Sequence, residues 1–568
     1  MIARSWTLLA ALALGACTTV ATTPSANPPA LVPGMVSAAD PRAAEAGAEI
    51  LRQGGSATDA ALATLLALNV VEPQSSGIGG GGFLVHSDAG GAVDTFDGRE
   101  EAPMAATPTW FYADGKPLPI EQAIPGGRSV GVPGNVRMMA LAHARHGKLP
   151  WKALFGPAIR LAGEGYILSP RGRRMLAGDA ETGALTAEGR AIYYLPDGSP
   201  KPVGTRITNP AFARFLTQLS EQGPDSFYVG PNAQAIAAAV AGAPRNAAPM
   251  TVGDIAAYDA KQRAPVCGTY RSYRICGMGP PSSGATTVFA ILKQLERFDL
   301  KALGKDNPAS WHLFIESMRL AYADRARYLG DADFVRVPVA GLTDAQYLGQ
   351  RSALISADAT MASVSAGTPA GAPQLASAAE QAEHGTSHFV AADAAGNVAS
   401  LTSTIESSYG SGLMVNGYYL NNELTDFNIV PDKDGAPTAN RVEAGKRPRS
   451  SMSPTIVFAP DGKVRLAIGA AGGSTIIAQV AKAIVGVIDW NLPAQDAIAL
   501  PLVYAPGGTT VYIERGNALD AITPGLRALG HSDIQVGDLY LKANALEWKN
   551  GHWVGAADPR SEGAAVQQ

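Results

Sequence analysis

At residues 385–386 the chain changes character. The preceding run, SADATMASVSAGTPAGAPQLASAAEQA (356–382), is almost all Ala, Ser, Gly, Pro and Gln. It has so little to bury that it reads as a tether. From Ser387 the pattern becomes Ser-His-Phe-Val-Ala-Ala, then a turn at 393–397, then a second strand over 398–404. Between about 135 and 330 helical periodicity dominates, as in NVRMMALAHARHG and ASWHLFIESMRLAYADRARYL. After 386 strands alternate, with PTIVFAPDGKVRLAIGAAGG as a hairpin and STIIAQVAKAIVGVIDW as a helix. A flexible lead running into an ordered Thr is the arrangement expected if the Gly385-Thr386 bond is cut. A Thr hydroxyl is a weak nucleophile without a base. Cutting before Thr386 would supply one, the new α-amino group, with a reference pKa of about 8.

The chain has 568 residues, 46% of them apolar, enough for two domains or for one large domain of interleaved halves. A net charge of −4 without any basic tract lacks the electrostatic footprint of a nucleic-acid binder. At the N-terminus Arg4 precedes an apolar run from Trp6 to Leu14, followed by Leu-Gly-Ala-Cys and a polar stretch. A short apolar region ending in small residues marks a signal peptide, not a membrane span. Residues 1–17 resemble a bacterial lipoprotein signal, which would make Cys17 the lipidated first residue of the exported chain. An ordinary signal peptide cut nearby is the alternative. Either sends the protein out of the cytoplasm. Thr18 rather than Asp after the Cys suits a periplasmic site at the outer membrane, with the lipid anchor as the only membrane contact. Residues 18–37 read as a disordered spacer.

Of three Cys, Cys267 and Cys276 remain, both in VCGTYRSYRICG, which alternates as a hairpin does. A two-residue turn at Arg271-Ser272 pairs 270 with 273, and therefore 267 with 276. That register sets the two Cys opposite each other on a non-hydrogen-bonded pair, and in an oxidising compartment predicts a disulfide.

PRAAEAGAEILRQGGSATDAALATLLALNVVEP reads as two helices broken at Gly54-Gly55, the second apolar all round and therefore buried. The following GIGGGGF holds Gly77-x-Gly79-x-x-Gly82, the dinucleotide spacing. A Rossmann loop must follow a strand and open a helix, whereas here a helix precedes and a strand follows. Close backbone packing explains these glycines better. The eight His show no metal set: His143 and His146 share a helix without Glu or Cys at ligand spacing. No cofactor is expected.

In the C-terminal part TSHF, LTSTIESSYGSG, LNNELTDF, KRPRSSMSP and GAAGGS occur in that order. Together with VVEPQSSGIGGGGF, DGREEAP, GPPSSG and MRLAYADRARYLGD, they resemble the γ-glutamyltranspeptidase family over nearly the whole exported chain. The resemblance implies an α+β fold, the four-layered αββα sandwich of N-terminal nucleophile hydrolases. It implies a precursor cut between Gly385 and Thr386 into a large subunit (38–385) and a small one (386–568) that stay together. By the same resemblance Thr386 is the nucleophile, Thr404 hydrogen-bonds it, and the N–H groups of Gly472 and Gly473 form the oxyanion hole. Arg99, Ser450 and Ser451 match contacts to the donor's α-carboxylate, and Glu423 and Asp426 match contacts to its ammonium. The donor would be glutathione or another γ-glutamyl compound, and the acceptor water, an amino acid or a peptide.

Two departures stand out. Where some members carry Asn as a third ammonium contact, this chain has Glu406, and three acids around one cation should raise a carboxyl pKa in the empty site. The stretch between Phe427 and Lys446 is short and has no aromatic residue, as in the branch of the family without a long lid. Within the fold the rival is a cephalosporin or glutaryl acylase. From another class the rival is a non-catalytic binding protein, which would need a damaged nucleophile or oxyanion motif, and none is seen.

Overall fold

The computed structural model describes residues 1–2, 32–378 and 385–568, and Val32–Gln568 form one compact unit. The signal-peptide residues that carry the export reading, Cys17 among them, lie outside the described residues.

Two large sheets organise this unit. Their strands are β1 (Met35–Ala38), β2 (Gly81–Ser87), β3 (Val93–Asp97), β4 (Lys261–Arg263), β5 (Val266–Tyr270), β6 (Tyr273–Gly277), β7 (Ser387–Ala392), β8 (Val398–Thr404), β9 (Thr455–Phe458), β10 (Val464–Ala471), β11 (Lys542–Lys549), β12 (His552–Ala557) and β13 (Ala564–Gln567). The seven-stranded sheet runs β13-β1-β7-β8-β2-β3-β4 and the six-stranded sheet β12-β11-β10-β9-β6-β5. Every pairing in both is antiparallel.

The sheets pack face to face, with β7 against β10 and β11. Alternation along the strands shows how. Phe83, Val85 and Val390 join the core between the sheets, whereas Leu84, Phe389 and Ala391 face a separate core under the helices. That outer layer is α1 (Pro41–Arg52) and α2 (Ala57–Val71), broken at Gly54-Gly55 as expected. All of α2 is buried, and a Ser56/Asp59 capping box satisfies its first amides. On the far side α3 (Gly284–Leu295), α4 (Pro308–Tyr328) and α5 (Thr475–Ile488) cover the other sheet. Helices, two sheets and helices give the αββα order. No helix among the described residues is long and apolar enough to cross a membrane.

Both sheets mix strands from either side of residue 385. β7 lies between β1 and, through β8, β2, and β6 pairs with β9. A cut at 385/386 would leave the halves joined by ladders of backbone hydrogen bonds and a shared core.

The hairpin register is as derived: Tyr270 faces Tyr273 and Cys267 faces Cys276, with a disulfide between them and Cα atoms 4.2 Å apart. Two expectations need correction. The spacer 18–37 extends too far, because Met35–Ala38 form β1, flanked by β7 and β13. A four-residue strand is too short to show periodicity, and only its two neighbours reveal it. The tether is also ordered as far as residue 378. Glu316 on α4 accepts from Thr360 Oγ1 and Met361 N, Asp324 accepts from Gly367 N, and Ala376 N donates to Pro437 O. Polar side chains of α4 satisfy its backbone, so it docks with little to bury.

Candidate active site

Thr386 immediately precedes β7 and is 4% exposed. The register sets Ser387 opposite Ser403, which brings Thr404, at the end of β8, beside it. Thr386 Oγ1 donates to Thr404 Oγ1 at 3.1 Å, and Thr404 Oγ1 also accepts from Glu406 N at 2.8 Å. Thr386 has φ 131°, a conformation an L-residue adopts only under constraint. The glycine-rich loop closes this corner. A Cβ on Gly80 would stand 2.0 Å from the carbonyl oxygen of Thr404, so the glycines serve backbone packing, as the strand after them implied.

Gly472 and Gly473 form the turn from β10 into α5, with φ 121° and 58°. Their carbonyls accept from the amides of Thr475 and Ile476, in the first turn of α5. The positive end of the helix dipole therefore lies at this turn, where it favours a developing negative charge.

A narrow cleft, with a cavity volume of only about 10 Å³, gathers the sequence-selected residues. Gly385, Thr386, Thr404 and Gly473 line it together with Arg99, Glu406, Glu423, Asp426, Ser450 and Ser451, and Met452 and Ile476 complete the wall. Only Gly472 of the catalytic and binding set is absent from the lining. The two serines are braced from behind. Ser450 O accepts from the amide and hydroxyl of Ser283, and Ser451 Oγ accepts from Arg325 at 2.6 Å. The GPPSSG motif thus shapes the wall without entering it.

The charged wall differs in detail from two separate subsites. Arg99 is fully buried and pairs with both Glu423 and Asp426, while also donating to the carbonyls of Pro448 and Arg449. The expected carboxylate contact and the expected ammonium contacts form one ion-paired cluster. Glu406 accepts from Ser407 Oγ at 2.6 Å and from the Asn422 side chain. Burial, then the nearby Asp426, push its pKa up to about 8. Burial also raises Glu423 well above the usual range and raises Asp426, against the pull of Arg99. The raised carboxyl pKa expected from crowding is present, but loss of water outranks mutual repulsion as its cause.

Sequence reasoning missed Glu100. It is fully buried, one of its oxygens is 3.7 Å from Arg99 Nη1, and the Glu423 carboxyl is the one side chain among the described residues placed to share a proton with it. Burial pushes it up to about 7. Its position next to Arg99 in DGREEAP was the available signal. Among the described residues no donor N–H or O–H of another residue type reaches Glu423 Oε2 or Asp426 Oδ1, both buried. The cluster therefore offers acceptor atoms that a bound cation could satisfy.

The sequence also showed no metal set, yet the fold brings His312, Glu316 and His531 within 4.8 Å of one another. His312 Nδ1 bonds His531 Nε2 at 2.8 Å, His312 Nε2 bonds Ser356 O, and Glu316 is held by Arg319, Thr360 and Met361. These groups already satisfy one another as a tie for the segment after residue 355. His143 and His146 turn instead to Leu149 O and Asp94.

Residues 43–568 match the family model described as Gamma-glutamyltranspeptidase. The chain is 36% identical over 549 residues to a "Glutathione hydrolase proenzyme" of Bacillus subtilis (strain 168), covering 94% of this chain and 91% of that one. It is 33% identical over 544 residues to the "Acylase ACY 1 proenzyme" of Pseudomonas sp. (strain SE83), covering 94% and 93%. Among solved structures it resembles a cephalosporin acylase from Bacillus halodurans, with TM-score 0.83, 26% identity, and 96% and 98% of the chains covered.

Proposed function

The chain belongs to the γ-glutamyltranspeptidase family, and from that premise we propose that it cuts itself before Thr386 and transfers γ-glutamyl groups. Donors are glutathione and related γ-glutamyl compounds. Acceptors are water, amino acids or peptides. One observation carries this reading: the Thr386 hydroxyl, the glycine turn and a buried arginine–carboxylate cluster share a single small cavity.

The donor's ammonium enters among Glu406, Glu423 and Asp426 and takes over the carboxylates that pair with Arg99. The Arg99 fork then turns to the α-carboxylate, with Ser450 and Ser451 beside it. The α-amino group of Thr386 accepts the proton from its hydroxyl as Oγ1 attacks the γ-carbonyl carbon. N–H groups of Gly472 and Gly473 hold the oxyanion, a contribution of about 3 kcal/mol per donor. The leaving amine takes the proton from the α-amino group and departs, leaving a γ-glutamyl ester on Thr386. Water or an acceptor amine resolves that ester by the reverse path. No metal or cofactor has a part in these steps. The two subunits, divided between Gly385 and Thr386 and with β1 in the larger, stay associated through their shared sheets. The leader sequence supports export to the periplasm, with lipidation at Cys17 and anchoring to the outer membrane.

The acylase relatives support a second reading, in which the donor has no α-amino group. Against it stands the Arg99 pairing: a glutaryl donor whose carboxylate draws the Arg99 fork away brings no ammonium to replace it beside Glu423 and Asp426. The test is the purified wild type and Thr386→Ala assayed with γ-glutamyl and glutaryl anilides. Wild type should give two chains, the smaller starting at Thr386, and should favour the γ-glutamyl donor. Thr386→Ala should stay a single chain without turnover. A small chain starting elsewhere would sink the nucleophile assignment, and equal use of both donors would favour the acylase.

A further inference from the structure

Lys542, the first residue of β11, is wholly buried. Its Nζ donates to Glu72 Oε2 at 2.9 Å, Ser387 Oγ at 3.2 Å and Ser75 Oγ at 3.4 Å. Ser387 Oγ donates to the same Glu72 oxygen at 2.9 Å, and Arg171 Nε lies 3.5 Å from the other. The connections matter more than the pair. Glu72 caps α2, Ser387 directly follows Thr386, and Lys542 pairs across the sheet with Ala471, the residue before Gly472. One buried ion pair thus fastens together helix α2, the start of β7 and the strand that ends in the glycine turn. Two charges taken out of water are an expensive way to fasten strands, since neutral hydrogen-bonding groups hold them at lower cost. Their charges therefore call for a use of their own.

We infer that Glu72 and Lys542 are positioning residues for Thr386: they fix the start of its strand against the glycine turn, and their opposite charges set the pH at which its α-amino group is free. The inference rests on the reading of Thr386 as an N-terminal nucleophile. Both charges contact Ser387, one residue from that amine, so Lys542 would disfavour a proton on it and Glu72 would favour one. Other charges also face this corner. Arg99, Glu406, Glu423 and Asp426 line the same cleft as Thr386, with Glu100 beside Arg99. Arg171 lies behind Glu72 and donates its amide to Glu562, and Asp40, paired with Arg42, also faces Glu72. On β7 itself His388 bonds Thr402 and is kept neutral by burial, its pKa pushed down to about 3. Asp59 caps the opposite end of α2, and Glu547 pairs with Arg465 farther along β11 and β10. Substituting Glu72 or Lys542 leaves all of these in place.

The experiment is the pH profile of kcat/KM with a γ-glutamyl anilide on the self-cleaved, full-length enzyme. Glu72→Gln leaves the cation alone and should move the acid limb down by about 0.5–1 pH unit. Lys542→Met leaves Glu72 facing only Arg171 and should move it up, by a smaller amount. Lys542→Arg should hold the limb at its wild-type position and recover most of the activity. Ser387→Ala keeps both charges and should lower kcat about 10-fold, with KM and the limb unchanged. Shifts in the same direction, or none in either charge variant, would overturn the inference. If a charge variant fails to fold or self-cleave, the other two decide: a raised KM at unchanged kcat in Ser387→Ala, or no recovery in Lys542→Arg, also overturns it. Thr386→Ala run alongside separates the two claims. Turnover there sinks the nucleophile reading, whereas a silent Thr386→Ala with unmoved limbs sinks only this inference.

Discussion

Gly385 lies so close to Glu406 that a Cβ on it would stand 1.8 Å from the Glu406 carbonyl oxygen. Only a hydrogen fits between the bond before Thr386 and the segment carrying one of the acids. Glu406 itself has φ 72° and Thr386 φ 131°, so both sides of this contact are conformationally constrained. Gly385→Ala must displace backbone, not a flexible side chain. Self-cleavage should slow by about 10-fold or more, since a small misplacement of reacting groups has a large effect on rate. A time course of precursor and product chains checks this, and wild-type speed would mean the contact does not govern the cut.

Donor choice should depend on the acids more than on the arginine. A glutaryl donor that draws the Arg99 fork away brings no ammonium to replace it beside Glu423 and Asp426, so wild type should prefer the γ-glutamyl donor by roughly 10²–10³ in kcat/KM. Asp426→Ala should reduce the γ-glutamyl reaction far more than any residual glutaryl reaction. Arg99→Lys should harm both, because both donors can present a carboxylate and Lys lacks the planar fork. The measurement is kcat/KM for each donor on the three proteins.

Proton balance gives an independent check. Glu406 at about 8 and Glu100 at about 7 both lie above the unfolded value of 4.5. Their contribution to stability is fully present below pH 4.5 and is lost as pH rises through 7 to 8. The melting temperature of the empty enzyme should therefore fall across that window, and Glu406→Gln should flatten the fall. An ammonium in the cluster lowers these pKa values, so binding a γ-glutamyl ligand near pH 7 should release about one proton. Calorimetry in buffers of different ionisation enthalpy reads this directly. Proton uptake would contradict the cluster's role.

The disulfide should stabilise modestly. Its closed loop is short, so Cys267→Ser with Cys276→Ser should cost roughly 2–3 kcal/mol without changing donor preference. Labelling of both thiols in the unfolded, unreduced protein would show that the bond does not form.

Much of this molecule is legible in the residues alone because the information is local. The break between α1 and α2 follows from Gly54-Gly55 interrupting helical periodicity. The Cys267–Cys276 pairing follows from a two-residue turn whose register is arithmetic. The cavity residues are legible for a different reason: motifs of a known family occur in order, although Arg99 and Asp426 are 327 positions apart. Local chemistry could not show what those residues do to one another. Only the fold buries Arg99 with four acids and so turns two expected subsites into one cluster. Likewise only the fold brings Lys542 to Glu72, 470 positions away, gives Met35–Ala38 two strand partners, and docks a segment that composition marks as a tether. In each case the deciding quantity is access to water or to a distant partner. Sequence pattern determines which face of an element is apolar, but which polar groups lose their water is settled only when the layers close.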